Sequence, residues 1–280
     1  LAVASIGHLV PPADFSCHVH SVFSRACNFE FRDSLLTLVA PGAGDGPTAL
    51  VLRSKPPCDL RQLFSAGEVV RRRGGIALAR RAALLFGHAS VWRPRVRRPL
   101  LAHERIVVNL RVAAARLALC RQTRSSCIDS SQGAAIAAAL EQACRLRDHE
   151  LAVGAMHRLI GWGEGLTPAG DDFLVGHLAA WTGVAQDDDE RRFLDRLCAF
   201  ILASERRTTP ISAHLLRLAV QGHFSAVIDN LRDALVCEGR SDRVSMAVDH
   251  ALDQGATSGA DMVSGLLAGL WARLPVAMEA

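Results

Sequence analysis

The spacing of apolar residues changes near residue 100, and that change restricts the chain to an α+β fold made in two parts. Before it, short β-type runs at 17–23, 28–31, 35–39 and 49–52 are separated by turn material, most clearly PGAGDGP. Residues 68–73, 76–79 and 89–93 continue the pattern, with Gly74-Gly75 as a hairpin turn. After residue 100, apolar side chains recur every three or four positions. In 104–120 the stripe is Val107, Leu110, Ala114, Leu117 and Ala118. The same spacing predicts helices over 134–146, 150–160, 168–184, 190–203, 210–221, 225–236, 242–252 and 258–274, joined by short connections as in a helical bundle. The expectation is a β-rich N-terminal domain over 1–100, then a multi-helix C-terminal bundle over 101–280.

Composition decides what fills the core and which partners to expect. Half of the 280 residues are hydrophobic, yet aromatics make up only 5% and Tyr is absent. The core must therefore be Ala, Leu and Val, which suits closely packed helices. Nine arginines lie between Arg71 and Arg98, flanked by Glu68 and Glu104. With Trp92 the only aromatic among them apart from Phe86, and a formal charge of just +4, they read as a solvated face or a subunit contact rather than a nucleic-acid footprint. Eight cysteines without a Cys-x-x-Cys spacing read as small, reduced, mostly buried hydrophobes. No apolar run reaches a membrane-spanning length, and LAVASIGHLV lacks a basic leader, so the expected location is the cytoplasm.

The chemistry concentrates in GWGEGLTPAGDDFLVG, residues 161–176. Thr167 suits a helix N-cap and Pro168 the first helical position. Gly161, Gly163 and Gly165 before the cap allow positive φ and close approach to a ligand, Gly170 joins them as a substrate-binding candidate, and free amides at a helix start favour a phosphate or carboxylate. The motif has no Gly-Lys-Ser/Thr and follows a helix, so it is neither a P-loop nor a dinucleotide fingerprint. Asp171 and Asp172 would repel a bare anion. They cap the helix, hold a Mg²⁺ ion, or include a general base, and adjacent helical residues diverge by about 100°, so one of them, Asp172, is expected to face the ligand.

Residues 255–265, GATSGADMVSG, echo that motif: Thr257, Gly259, Asp261 and Gly265 correspond to Thr167, Gly170, Asp172 and Gly176. Either the chain contains a duplication, or two helix starts face one pocket, or two good caps look alike by chance; Ser258 joins the candidates. A third turn, RRTTPIS, puts Thr208 and Thr209 before a Pro-initiated helix containing Ser212. There Arg207 is a candidate anion grip. In the first half, His18 and His20 share a strand face as a candidate metal pair, with Ser21 and Asn28 beside it. Asp171, Asp172 and Asp261 are the candidate catalytic residues. No cofactor motif is evident, Mg²⁺ is a candidate, and the identity of any protein-bound metal is left open.

At GEGLTPAGDDFLVG, His20-Ser21-x-Phe23 with Asn28, Gly46-Pro47, the 208–222 segment and GATSGADM, the chain resembles a bacterial family associated with oxamate carbamoyltransferase, the AllH-type subunits. The resemblance implies an enzyme subunit for carbamoyl or related acyl transfer between phosphate and oxamate, in allantoin breakdown. It implies partner chains too, one similar to acyl-CoA synthetase subunits. It carries no assigned catalytic residue, and the Ser-x-Arg-Thr-Arg phosphate motif of other carbamoyltransferases is missing. Within the motif, Trp162 and Glu164 are candidates for tuning specificity. A non-catalytic subunit that senses a small anion is the alternative.

Overall fold

The computed structural model describes residues 1–55, 59–95, 100–182 and 187–274. Contacts divide the chain into two compact units, Leu1–Arg95 and Val96–Ala280. The first is a curled sheet, the second is helical, which is the α+β arrangement predicted.

The N-terminal strands are β1 (Val3–Gly7), β2 (Phe15–Val22), β3 (Ala26–Phe31), β4 (Ser34–Val39), β5 (Ala49–Leu52), β6 (Val69–Arg73), β7 (Ile76–Leu78), β8 (Ala83–Leu85) and β9 (Ser90–Trp92). Their order is β8-β7-β6-β2-β3-β4-β5-β1-β9, and a bridge between Ala2 and Leu85 curls one end toward the other. Alternation puts Cys17, Val19, Cys27, Phe29, Leu36, Leu38 and Val70 on the inner face, where Leu60 and Phe64 close over them. Gly74 and Gly75, with φ of 55° and 86°, make the expected hairpin between β6 and β7. Strands β1 and β8 were not predicted. VASIG sits within the apolar run LAVASIGHLV with no clear alternation and is fixed by β5 and β9, distant in sequence; β8 is only three residues long and forms as the return strand of a hairpin with β7.

The helical unit comprises α1 (His103–Arg121), α2 (Ser131–Leu146), α3 (His149–Leu159), α4 (Ala169–Thr182), α5 (Asp188–Ala203), α6 (Pro210–Val220), α7 (Ala226–Cys237), α8 (Ser241–Leu252) and α9 (Ser258–Trp271). The end of the helix predicted over 168–184 falls outside the described residues. In α1 the buried stripe is Ile106, Val107, Leu110, Ala113 and Leu117, while Ala114 and Ala118 are exposed. A methyl group supplies too little apolar area to decide which face turns inward, so the larger Ile106 sets the stripe. Asn109 is buried on this face because its amide donates to the Leu235 and Glu238 carbonyls, at 2.9 and 3.0 Å, closing the end of α7.

Helices α4 and α9 form the centre. Thirteen of the fourteen residues of α4 are buried, so this helix is enclosed on all sides. The two backbones touch at glycines: a Cβ on Gly176 would lie 1.9 Å from the Met262 carbonyl oxygen, and one on Gly265 would lie 1.8 Å from that of Phe173. Seven cysteines among the described residues are free thiols, and Cys17, Cys27, Cys144 and Cys198 are buried; Cys58 lies outside those residues. No helix among the described residues is long and apolar enough to cross a membrane.

Candidate functional site

Where α3 ends at Leu159, Gly161 turns the chain with φ of 74°. Its amide donates to Asp171 Oδ1 at 2.9 Å, so the first turn of α4 reaches back and closes the glycine bend on itself. Gly163 and Gly165 also have positive φ (117° and 92°). Gly170 is required for a different reason, since a Cβ there would fall 2.1 Å from the Leu159 carbonyl oxygen. The third predicted turn joins the first. Thr208 donates to Asp171, and Thr209 Oγ1 donates to the Leu166 carbonyl at 2.6 Å while capping α6 through the Ser212 amide. Ser212, 1% exposed, stands beside Asp171 with no close partner for its hydroxyl among the described residues. Arg207 is exposed, and one of its guanidinium nitrogens donates to the His157 carbonyl at 2.9 Å.

The second glycine-rich turn meets the first. Thr167 Oγ1 and Ser258 Oγ are 3.0 Å apart, and both hydroxyls lie beside the Asp172 carboxyl. Asp172 is 2% exposed, and its Oδ2 has no partner among the described residues. Burial pushes its pKa up to about 8, Asp261 and Asp171 add to the rise, and the two hydroxyls oppose it. Asp261 is fully buried and accepts from Ser126 Oγ at 2.5 Å; its Oδ2 is likewise unpartnered among the described residues. Burial raises this group to about 6, against the pull of Ser126 and Arg121. Burial raises Asp171 as well.

The sequence echo is also an echo in packing. Gly259 meets the Ala251 carbonyl (a Cβ would sit 2.0 Å away) as Gly170 meets that of Leu159. Thr257 neighbours Asp261 as Thr167 neighbours Asp172, and Gly176 and Gly265 pack reciprocally. The pairs α3–α4 and α8–α9 are thus alike in construction, and their junctions converge.

Two expectations about the helix start need correction. Helix α4 begins at Ala169, with the Pro168 carbonyl accepting from the Asp172 amide at 3.1 Å, and the Thr167 hydroxyl meets Ser258 rather than capping the helix. Helix-start amides predicted to be free are in part engaged: Gly170 N donates to the Trp162 carbonyl and Gly259 N to that of Gln254. Both carboxylates of the Asp pair are buried, Asp171 toward Gly161 and Thr208, Asp172 toward Thr167 and Ser258. At the junction lie half-buried hydroxyls and buried carboxyl oxygens, with exposed Glu164, Gly165 and Leu166 at its edge. Trp162 packs partly on the core. A cavity of about 190 Å³ lined by His103, Ile106, Glu190, Val236, Leu270 and Arg273 shares none of these residues.

Ser126 and Cys127 were missed. Their short helical turn runs beneath Gly163, where a Cβ would come 3.2 Å from the Cys127 sulfur. The available signal was Ser126-x-x-Asp129, a capping box that forms as such.

In the N-terminal unit the strand pairing slips between Val19 and Ser21, leaving His20 as the extra residue of a bulge. His20, Ser21 and Asn28 do come together there: His20 Nδ1 is 3.1 Å from Ser21 Oγ, and Asn28 Nδ2 donates to Ser21 Oγ at 3.0 Å. The exposed His18 pairs across to Glu30. Among the described residues, no group of three His, Cys, Asp or Glu side chains is placed to hold a metal ion.

Residues 4–91 match the AllH family N-terminal domain, and residues 159–270 match the oxamate carbamoyltransferase subunit AllH. The chain belongs to the AllH family. Both converging glycine-rich turns, and the RRTTPIS turn between them, fall inside the 159–270 match; His20, Ser21 and Asn28 fall inside the other. Membership in AllH makes the chain an enzyme subunit, with other subunits as partners. No solved structure matches it.

Proposed function

We propose that the chain serves carbamoyl transfer on small anions, oxamate or carbamoyl phosphate, and that the junction of α4 and α9 receives the anionic group. The observation that carries this reading is the Thr167–Ser258 contact above Asp172, a buried carboxyl with one unpartnered oxygen. With a pKa near 8 the carboxyl is largely protonated at neutral pH, so it does not repel an anion and offers an O–H donor. The positive ends of two helices converge on the same place, where they favour negative charge. Thr167 and Ser258 would orient the anion, and Asp172 would donate to it or move a proton. Thr257 and Asp261, with Ser126, form the second half of the site.

The burial of all three carboxylates favours a second reading, a subunit that binds the anion without turning it over. Asp172→Asn separates the two. The amide keeps shape and a donor but cannot transfer a proton. In the assembled enzyme, a proton-transfer role predicts loss of carbamoyl transfer by roughly 100-fold or more with little change in oxamate binding. Turnover like that of the unmodified enzyme removes the catalytic role and leaves binding. We place the protein in the cytoplasm, in allantoin breakdown, beside a chain resembling acyl-CoA synthetase subunits.

A further inference from the structure

In an unbroken strand, neighbouring residues point to opposite faces of the sheet. The bulge in β2 cancels that rule at one place, bringing the His20 ring and the Ser21 hydroxyl to the same side, 3.1 Å apart. Bulges are a common means of re-aiming a side chain beside a reactive centre. The rest of the arrangement fixes where the hydroxyl hydrogen goes. Thr37 Oγ1 donates to Asn28 Oδ1 at 2.9 Å, which sets the amide end of Asn28 toward Ser21. Asn28 Nδ2 then donates to Ser21 Oγ, so the hydrogen of that oxygen is left to point at His20 Nδ1. Asn28 is 6% exposed and held from both ends, while His20, Ser21 and Thr37 are half-buried and within reach of a small molecule. A hydroxyl facing a base, on a rigid sheet, with its orienting group locked by a further bond, is the pattern of an activated nucleophile.

We propose that Ser21 is a nucleophile toward activated carbonyl compounds, with His20 as its base and Asn28 and Thr37 as positioning residues. Ser21 Oγ forms a bond to the carbonyl carbon and its proton passes to His20 Nδ1. The bond from that carbon to the leaving group breaks, and the leaving group departs with the electron pair. Asn28 Nδ2 supports Oγ as negative charge builds before the bond forms. The acyl group then rests on Ser21 until an acceptor or water removes it. Equating it with a carbamoyl group, and the leaving group with phosphate, rests on the carbamoyltransferase reading; the nucleophile itself does not.

The test uses the full chain and p-nitrophenyl acetate, following p-nitrophenolate release, intact mass and the mapped position of the acetyl group. The expected result is one acetyl group per chain on Ser21. The rate should depend on pH. Ser21→Ala should abolish the label. His20→Gln should slow it by roughly 100-fold and flatten the pH profile, whereas a purely structural ladder would leave both unchanged. Should Ser21→Ala not fold, His20→Gln decides the matter, because it leaves the target hydroxyl in place. Acetylation elsewhere, or an unchanged rate and profile in His20→Gln, overturns the proposal. Labelled Ser21 in an assembled enzyme that transfers no carbamoyl group would remove only the carbamoyltransferase reading.

Discussion

At the scale of single residues, the two adjacent aspartates have separate duties that their identical chemistry conceals. Asp171 accepts from the Gly161 amide and from Thr208, tying three segments of chain together. Removing that acceptor leaves buried donors without partners. Asp171→Ala should therefore lower unfolding stability in urea by on the order of 2–4 kcal/mol. Asp172 leaves an oxygen unpartnered and burial favours its protonated form, so at neutral pH Asp172→Asn should unfold at a urea concentration no lower than the parent's while changing turnover. An equal loss of stability in both variants would mean that both aspartates are structural ties. The sequence located this pair and its glycines correctly. It could not divide the roles, because the division depends on which distant hydroxyl, Thr208 or Ser258, arrives at each carboxyl.

At the scale of elements, the site is placed by two helices that cross at glycines. Neither helix can tolerate a methyl at the crossing, where the opposing backbone would be under 2 Å away. Gly176→Ala and Gly265→Ala should each destabilise the protein by roughly 3 kcal/mol or more through overpacking and backbone displacement. Gly154, exposed in α3 with nothing within 4 Å of an added Cβ, supplies the control. There Gly→Ala should stabilise by about 1 kcal/mol, since alanine is the better helix former. Thermal unfolding of the three variants checks the contrast, and a Gly176→Ala protein as stable as the parent would deny the close crossing. Helix periodicity revealed that α4 and α9 exist. The pairing of Gly176 with Gly265 was hinted at only by the repeated Gly-to-Asp-to-Gly spacing.

At the scale of the whole molecule, buried ionisable groups set how stability responds to pH. A carboxyl whose pKa rises on folding holds more protons folded than unfolded, so stability falls as pH climbs from the unfolded toward the folded value. For Asp172 that window runs from about 4 to about 8, and for Asp261 from about 4 to about 6. Burial lowers His177 and His214 to about 4, so the folded state holds fewer protons there and stability rises as pH climbs from about 4 toward 6.5. Below 6.5 the two trends oppose each other. Above it, Asp172 is the one of these four that still titrates. Urea stability should fall by on the order of 1–2 kcal/mol between pH 6.5 and 8, and Asp172→Asn should flatten that slope. A slope unchanged in the variant would show that Asp172 is not the group responsible.

Local information in the sequence was sufficient for the change from strands to helices, for the Gly74-Gly75 hairpin, and for the glycine bend before α4, because each depends on residues within one or two turns of each other. It failed for β1, which becomes a strand only against remote partners, for β8, whose three residues are too few to show an alternation, and for Ala114, too small to declare its face. Folding alone decided that Thr167 and Ser258, 91 residues apart, would share one carboxyl, and that Ser126 would reach Asp261. Burial there shifts the carboxyl groups toward their neutral forms, and burial is a property of everything packed around a side chain, which no neighbouring residue in the sequence can report.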